Sequence, residues 1–540
     1  MIGHRQGQIL ESNSRLDKSA ASLSLVTARI HAKLTWNPRA ACRSASYDGA
    51  VTLNAESDEA VPQPPVAKPR SLPAGGIRLA RFEVLLAVVW FAVLCVVVLR
   101  TAPQLLEPDD FAYRGSVVAM TQGHFLTLST AQVNALGAQL GGPGGRGPGA
   151  PGGIAQWVQL ADGRWISEKD PGYPFLAVAF QAPGIIRLAP LFYGALACVG
   201  LYFGARRWLG RFGGTAAVGL YCSSGTALMF AWRDYMPTFI DASLIAAGTG
   251  ALLWAVLAVE ERARWRTWAG LAGFLALEAA AFTRYTDIVV LGCAVVAVIV
   301  ATWLPAARLP RYALAWWLGS VVVFCAGVGL FDTLAYGGPL RSGYRPGEIR
   351  FSVSAIWPNL RVMPRDLIWT TPMFALGLAA LAWIIAAWAR RRRAVGEQAT
   401  VVRRDLVVGL SLAASWLAIW GLYSAYTWTA PAAGAFGPPI VFPFVRFYVP
   451  ALGAIALLGA WLVTRVPGTA ALPAIAVVAV AAAMFGLGVR SFDVMVSSAS
   501  TLMRNHAPCV THSVKGRPVP HVGSCHAPGP PGQRGHVQPR

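Results

Sequence analysis

The chain has 540 residues, of which 55% are hydrophobic and only 13% charged, with 20 Trp. A water-soluble domain carries about a quarter charged residues, so this balance excludes an ordinary soluble enzyme and points to the bilayer. The formal net charge of +21 is mostly arginine in short runs between apolar segments. That is how membrane-orientation signals are distributed, and it argues against nucleic acid as a partner.

Residues 1–75 are polar, rich in Ser, Ala and Arg, and end in the Pro-rich run Val61-Pro-Gln-Pro-Pro-Val66. Nothing there can bury a core, so the segment reads as a disordered tail. It holds no long apolar run before Phe82 and therefore no secretory signal. Cys42 in this tail is expected to be a free thiol.

From Phe82 onward, apolar runs approach the roughly 20 residues that cross a bilayer. Eleven are expected: 82–100, 186–205, 213–231, 236–258, 267–283, 286–304, 312–335, 367–389, 406–428, 444–464 and 467–488. The fold class is thus all-α, a polytopic membrane helix bundle over residues 76–490 with short helices in a large first loop. Segment 173–184 is too short to span and reads as an interfacial or re-entrant helix. Residues 491–540 read as a Pro/Gly-rich tail in which Cys509 and Cys525 are either free or paired. The five cysteines in apolar segments, Cys95, Cys198, Cys222, Cys293 and Cys325, read as small core residues. No C-x-x-C spacing suggests a structural metal site.

Arginines fix the expected orientation. Arg78 and Arg81 precede the first segment, and alternation then places Arg206-Arg207, Arg262, Arg308, Arg390 to Arg393 and Arg465 on the same, cytoplasmic side. The N-terminus is then inside. The loops 101–172 and 336–366, with the turns 232–236 and 283–287, face outward.

The candidate chemistry lies in those outward parts. Asp109 and Asp110 open a helix-like segment just past the first span. Acidic residues suit a helix first turn, but ionisable groups at a membrane exit more often line a watery cavity or serve chemistry. One of the two can act as general base on an acceptor hydroxyl, while the other orients the acceptor or binds a metal. Lys169 closes the same loop, as a solvated side chain or a point-charge contact for phosphate. Arg233-Asp234 and Arg284 with Asp287 stand at span ends, where they either snorkel to water or make an anion-attracting cavity. Loop 336–366 adds five arginines suited to a phosphorylated head group. His124 reads as a structural loop histidine. The stretch Gly137–Gly153 lacks a strand-to-helix setting and carries no phosphate role.

Several of these motifs occur together in a known order. Pro108-Asp-Asp-Phe-Ala-Tyr113 with Gly123-His-Phe125, Lys169-Asp-Pro-Gly-Tyr-Pro-Phe-Leu-Ala177, Phe282-Thr-Arg-Tyr285 and Arg446-Phe-Tyr-Val-Pro-Ala451 resemble the multi-spanning glycosyltransferases of C-type fold. These use polyprenyl-phosphate sugars and include protein O-mannosyltransferases and bacterial aminoarabinose transferases. The likeness covers about residues 80–490. It implies a polyprenyl-phosphate sugar donor and a glycan, lipid or protein acceptor. It further implies Asp109 as base with Asp110 as partner, and Lys169, Arg233, Asp234, Arg284 and Arg446 at the substrate; a divalent metal stays open. The rival reading is a transporter or flippase, which would show inverted repeats or spans broken near mid-membrane.

Overall fold

The computed structural model describes residues 74–103, 105, 108–125, 127–140, 156–303, 309–344, 349–391, 396–429, 445–465, 471–505, 509–514 and 517–521. The chain divides into two units, Met1–Ser71 and Leu72–Arg540. The first unit lies outside the described residues. So do Cys42, Cys525 with its pairing, and most of the glycine-rich stretch.

The long apolar α1 (Ala74–Arg100) is followed by the short helices α2 (Pro108–Thr121) and α3 (Thr130–Gln139). A two-stranded antiparallel hairpin, β1 (Trp157–Gln159) and β2 (Trp165–Ser167), comes next, pairing Trp157 with Ser167. Helix α4 (Gly172–Gln181) is the expected short element that does not span. The bundle continues through α5 (Ala189–Leu209), α6 (Gly213–Ser223), α7 (Gly225–Ala231), α8 (Thr238–Leu257), α9 (Ala263–Thr283), α10 (Ile288–Ala301) and α11 (Arg311–Tyr336). It closes with α12 (Val353–Thr370), α13 (Phe374–Arg391), α14 (Glu397–Ser424), α15 (Leu452–Val463) and α16 (Ala471–Asn505). A terminal hairpin follows, β3 (Cys509–Val514) with β4 (Arg517–His521).

This is an all-α polytopic membrane bundle. Among the described residues seven helices are long and apolar enough to cross a membrane, and Tyr285–Ala301 and Val449–Val463 are shorter apolar helices. The expected run 213–231 is broken at Ser224, whose backbone is extended (φ −67°, ψ 135°). The run 367–389 is broken at Thr371 (φ −138°, ψ 54°), because Pro372 disfavours helix in the residue before it. Much of loop 336–366 is helix α12, which the internal Pro358 and Pro364 disguise in the sequence. Helix α16 runs past residue 490 to Asn505. The polarity change there does not end the helix, because Ala, Ser, Leu and Met sustain it.

The core lies between α5, α6, α8, α9 and α15. Small residues bring α5 and α8 into backbone contact: a Cβ on Gly250 would lie 2.2 Å from the carbonyl carbon of Gly200. Helices meet this closely in lipid through small residues, since hydrocarbon gives no hydrophobic drive for association. Cys198 and Cys222 are buried as expected, but Cys95 and Cys293 are half-buried and Cys325 is exposed. Apolar side chains of a bilayer protein face lipid as well as core, so apolar context does not imply burial. At the basic end of the bundle, Asp405 accepts from the Trp208 and Trp461 indoles (3.0 and 3.1 Å) and pairs with Arg465 (2.7 Å).

Candidate active site

The other end carries the candidate site. Helix α2 places Asp109 and Asp110 in its first turn, as the segment's pattern predicts. Helix α4 anchors the loop that faces them. A Cβ on Gly172 would sit 2.4 Å from the backbone of Phe282 and Thr283, so α4 starts jammed on the end of α9. Tyr173 is fully buried and meets the Tyr113 ring of α2 edge-on at 5.1 Å. These contacts hold Lys169 and Asp170 between α2 and the α9–α10 turn. There Asp170 Oδ2 accepts from the Tyr285 backbone N–H at 3.3 Å.

Asp109 is the centre of a charged cluster. Lys169 Nζ lies 3.1 Å from Oδ1 and Arg446 Nη1 lies 2.8 Å from Oδ2. Burial alone would raise the Asp109 carboxyl, but Arg446 and then Lys169, with a hydrogen bond from Gln156, hold it well below the usual carboxylate range. Lys169 is held above its ordinary value by Asp109, against the pull of burial. The lysine also donates to Tyr344 Oη (3.2 Å) and lies 3.5 Å from Glu168 Oε1. Arg446 stacks over Phe447 and Trp428, with its guanidinium carbon 4.8 and 5.7 Å from the ring centres.

Arg284 stands behind this cluster. It donates to the Arg446 carbonyl and to Tyr423 Oη, both at 3.1 Å, and lies 3.7 Å from Asp241. Its link to the site therefore runs through the backbone of Arg446. Asp110 and Arg233 form an ion pair in the interior, with 1% and 0% of their side chains exposed, whereas Asp109 keeps 15%. Asp234 does not join the cluster. Its carbonyl accepts from Tyr173, and the charged groups acting on its carboxylate are Arg187 and Asp110; burial raises it to about 6. Of the seven residues singled out in the sequence, Asp109, Lys169 and Arg446 meet directly, and Arg284 supports them from behind. His124 lies 3.4 Å from Gln132.

Sequence reading missed Gln156, Glu168, Asp170, Tyr344 and Tyr423. Burial raises Asp170 to about 7. Gln156 adopts a left-handed backbone (φ 57°) unusual for its type. Gly343 packs so tightly that a Cβ would sit 2.3 Å from Glu168 Cα, which brings Tyr344 to Lys169. The signal available was that Glu168 and Asp170 flank Lys169. Among the described residues no group of three or more His, Cys, Asp or Glu is placed to hold a metal ion.

Fold and site together define a multi-pass membrane protein whose ionised, partly exposed carboxylate is gripped by two cations at one end of its bundle. No family profile and no curated protein matches this chain. Among solved structures it is similar to ArnT from Cupriavidus metallidurans bound to undecaprenyl phosphate, at 15% identity over 80% of this chain and 79% of that one, TM-score 0.48. It is also similar to the Archaeoglobus fulgidus oligosaccharyltransferase in its apo form, at 10% identity over 83% of this chain and 62% of that one, TM-score 0.41.

Proposed function

We propose that this protein is a membrane glycosyltransferase that moves a hexose or pentose from a polyprenyl-phosphate carrier to an acceptor hydroxyl on the outer membrane face. The observation that carries the reading is the clamp on Asp109: two cations from distant parts of the chain, Lys169 and Arg446, on a single partly exposed carboxylate. Such cations match what a departing phosphate needs. Arginine offers a fork to phosphate oxygens and lysine a point charge.

In the resting site Asp109 is ionised but weakly basic, because both cations lean on it. A donor phosphate that draws Arg446 and Lys169 towards its own oxygens releases the carboxylate and raises its basicity. Asp109 then takes the acceptor O–H proton as the acceptor oxygen bonds to the anomeric carbon. The bond from that carbon to the phosphate oxygen breaks, and the electron pair leaves with the phosphate, whose charge the two cations meet. Arg284 holds the Arg446 backbone for this exchange, and the Asp110–Arg233 pair sets the first turn of α2. The outward direction of the site rests on the alternation of basic loops, which puts the N-terminus in the cytoplasm.

The transporter reading draws on the break at Ser224, inside a segment expected to span. The hydroxyls there bond to each other, Ser224 to Thr226 at 2.6 Å and Thr371 to Thr226 at 3.2 Å, and the charged groups cluster elsewhere. The test is donor dependence of sugar transfer. Arg446→Lys keeps the charge but loses the fork, so apparent donor affinity should fall, and fall further in Arg446→Ala. Arg284→Ala should weaken donor use less than Arg446→Ala. Equal donor affinity in all of them removes the phosphate role and returns weight to transport.

A further inference from the structure

Helix α12 lies across the end of the bundle that carries the site. Just before it, the Ser352 N–H donates to the Ala425 carbonyl at 2.7 Å. Further along, Asn359 donates to the Ser424 and Tyr426 carbonyls, so this whole stretch stays level with the last turn of α14. At the far end the Trp369 carbonyl accepts from Ser491 of α16 at 2.7 Å. The adjoining Phe492 ring meets Trp232, the neighbour of Arg233, at 5.7 Å. Two spanning helices are thus strapped together at the same end, by a helix that crosses them instead of running beside them.

Such a strap has three surroundings, and its side chains sort accordingly. Ala355, Asn359, Met363, Asp366 and Leu367 are buried and make the face against the bundle. The exposed remainder divides in two. Val353, Trp357, Leu360, Pro364 and Ile368 fall within one arc of about 80°, at about 100° per residue; Val353 is 83% and Trp357 63% exposed. Arg361, Ser354 and Arg365 fill the next arc, and the Arg361 guanidinium carbon lies 4.9 Å from the centre of the Trp357 ring. A contiguous apolar band marks a contact with a partner or a membrane, and helices with tryptophan beside basic residues settle between acyl chains and head groups. The basic arc fixes the sign of the partner. Asp366, the one carboxylate of α12, is buried, so a second copy of this helix would bring cations to cations. Arginine forks match phosphate oxygens in pairs. We infer that α12 is an interfacial helix that sinks its apolar band among the acyl chains, while Arg361 and Arg365 hold head-group phosphates of anionic phospholipid. The two arginines are not equal: Arg365 already lies 3.3 Å from Asp366, so Arg361 carries the larger share. This assignment does not depend on sugar transfer.

The test is photo-crosslinking of the full chain in phosphatidylcholine nanodiscs doped with phosphatidylglycerol that carries a diazirine in its acyl chain, read by peptide mapping. Label should land on Val353, Trp357, Leu360 or Ile368. Unlabelled phosphatidylglycerol should displace it better than unlabelled phosphatidylcholine does. Arg361→Gln should cut that preference about fivefold, the worth of one basic residue at an anionic surface, and Arg365→Gln should cut it less. Both side chains are exposed, so neither change should lower the unfolding temperature in phosphatidylcholine alone. The inference is overturned if the label misses α12, or if the two lipids displace it equally well from the wild type. It is equally overturned if both variants keep the wild-type preference, if inorganic phosphate abolishes it, or if α12 crosslinks to a second copy of the chain in place of lipid.

Discussion

Asp109 and Asp110 share a helical turn, yet one keeps 15% of its side chain exposed between two cations and the other has 1% exposed against a fully buried Arg233. Removing one member of a buried pair strands the other charge, a loss of about 3–5 kcal/mol. Asp110→Asn should therefore lower thermal stability markedly, and Asp110→Leu with Arg233→Met should recover much of it, as unfolding in detergent would show. A stable Asp110→Asn would mean the pair is not structural. Asp170 gives a pH signature. Burial raises its folded value to about 7 from an ordinary value of about 4, so between those pH values the native state binds more protons than the unfolded one. Its contribution is fully present below about pH 4 and is lost as pH rises through about 7. Asp109, held low, works the opposite way: its contribution is present above about pH 4 and fades in stronger acid. Asp170→Asn should flatten unfolding temperature against pH over 4–7; an unchanged slope contradicts the assignment. Asp109 and Lys169 were legible as charges close to apolar runs, and Arg446 only through the motif resemblance. The difference between the two aspartates was not legible, because it depends on which face of one helical turn meets Arg233.

Helix α4 shows why the site depends on an element that never crosses the membrane. Its first residue, Gly172, has no room for a Cβ against the end of α9, where the neighbouring atoms are backbone. Gly172→Ala should push the two apart, shifting Lys169 and Asp170. Transfer should drop at least about tenfold, since small misplacements at a reacting centre are costly; wild-type transfer would show that the α4–α9 contact does not position Lys169. The same scale shows where sequence reading failed. The long spans, α2 and α4 followed from apolar length and spacing. The breaks at Ser224 and Thr371 and the helix α12 did not. Pro372 sets the break at Thr371 inside a run that apolar length alone joins, whereas α12 rests on tertiary contact: Asn359 donates to the Ser424 and Tyr426 carbonyls at 2.7 and 2.8 Å, which offsets its two prolines.

At the scale of the whole molecule, everything proposed depends on orientation and on one carboxylate. Reporters fused after Arg393 and within 345–360 should report cytoplasmic and external positions respectively; finding both on one side would overturn the outward placement of the site. The central claim is tested most directly by sugar transfer from a polyprenyl-phosphate donor by purified Asp109→Asn protein. The substitution is nearly isosteric but takes away the carboxylate that Lys169 and Arg446 pair with, so transfer is compared at equal amounts of folded, inserted protein. Transfer should fall by about 10²–10⁴-fold, the range for loss of a general base. Transfer at the wild-type rate would contradict the account.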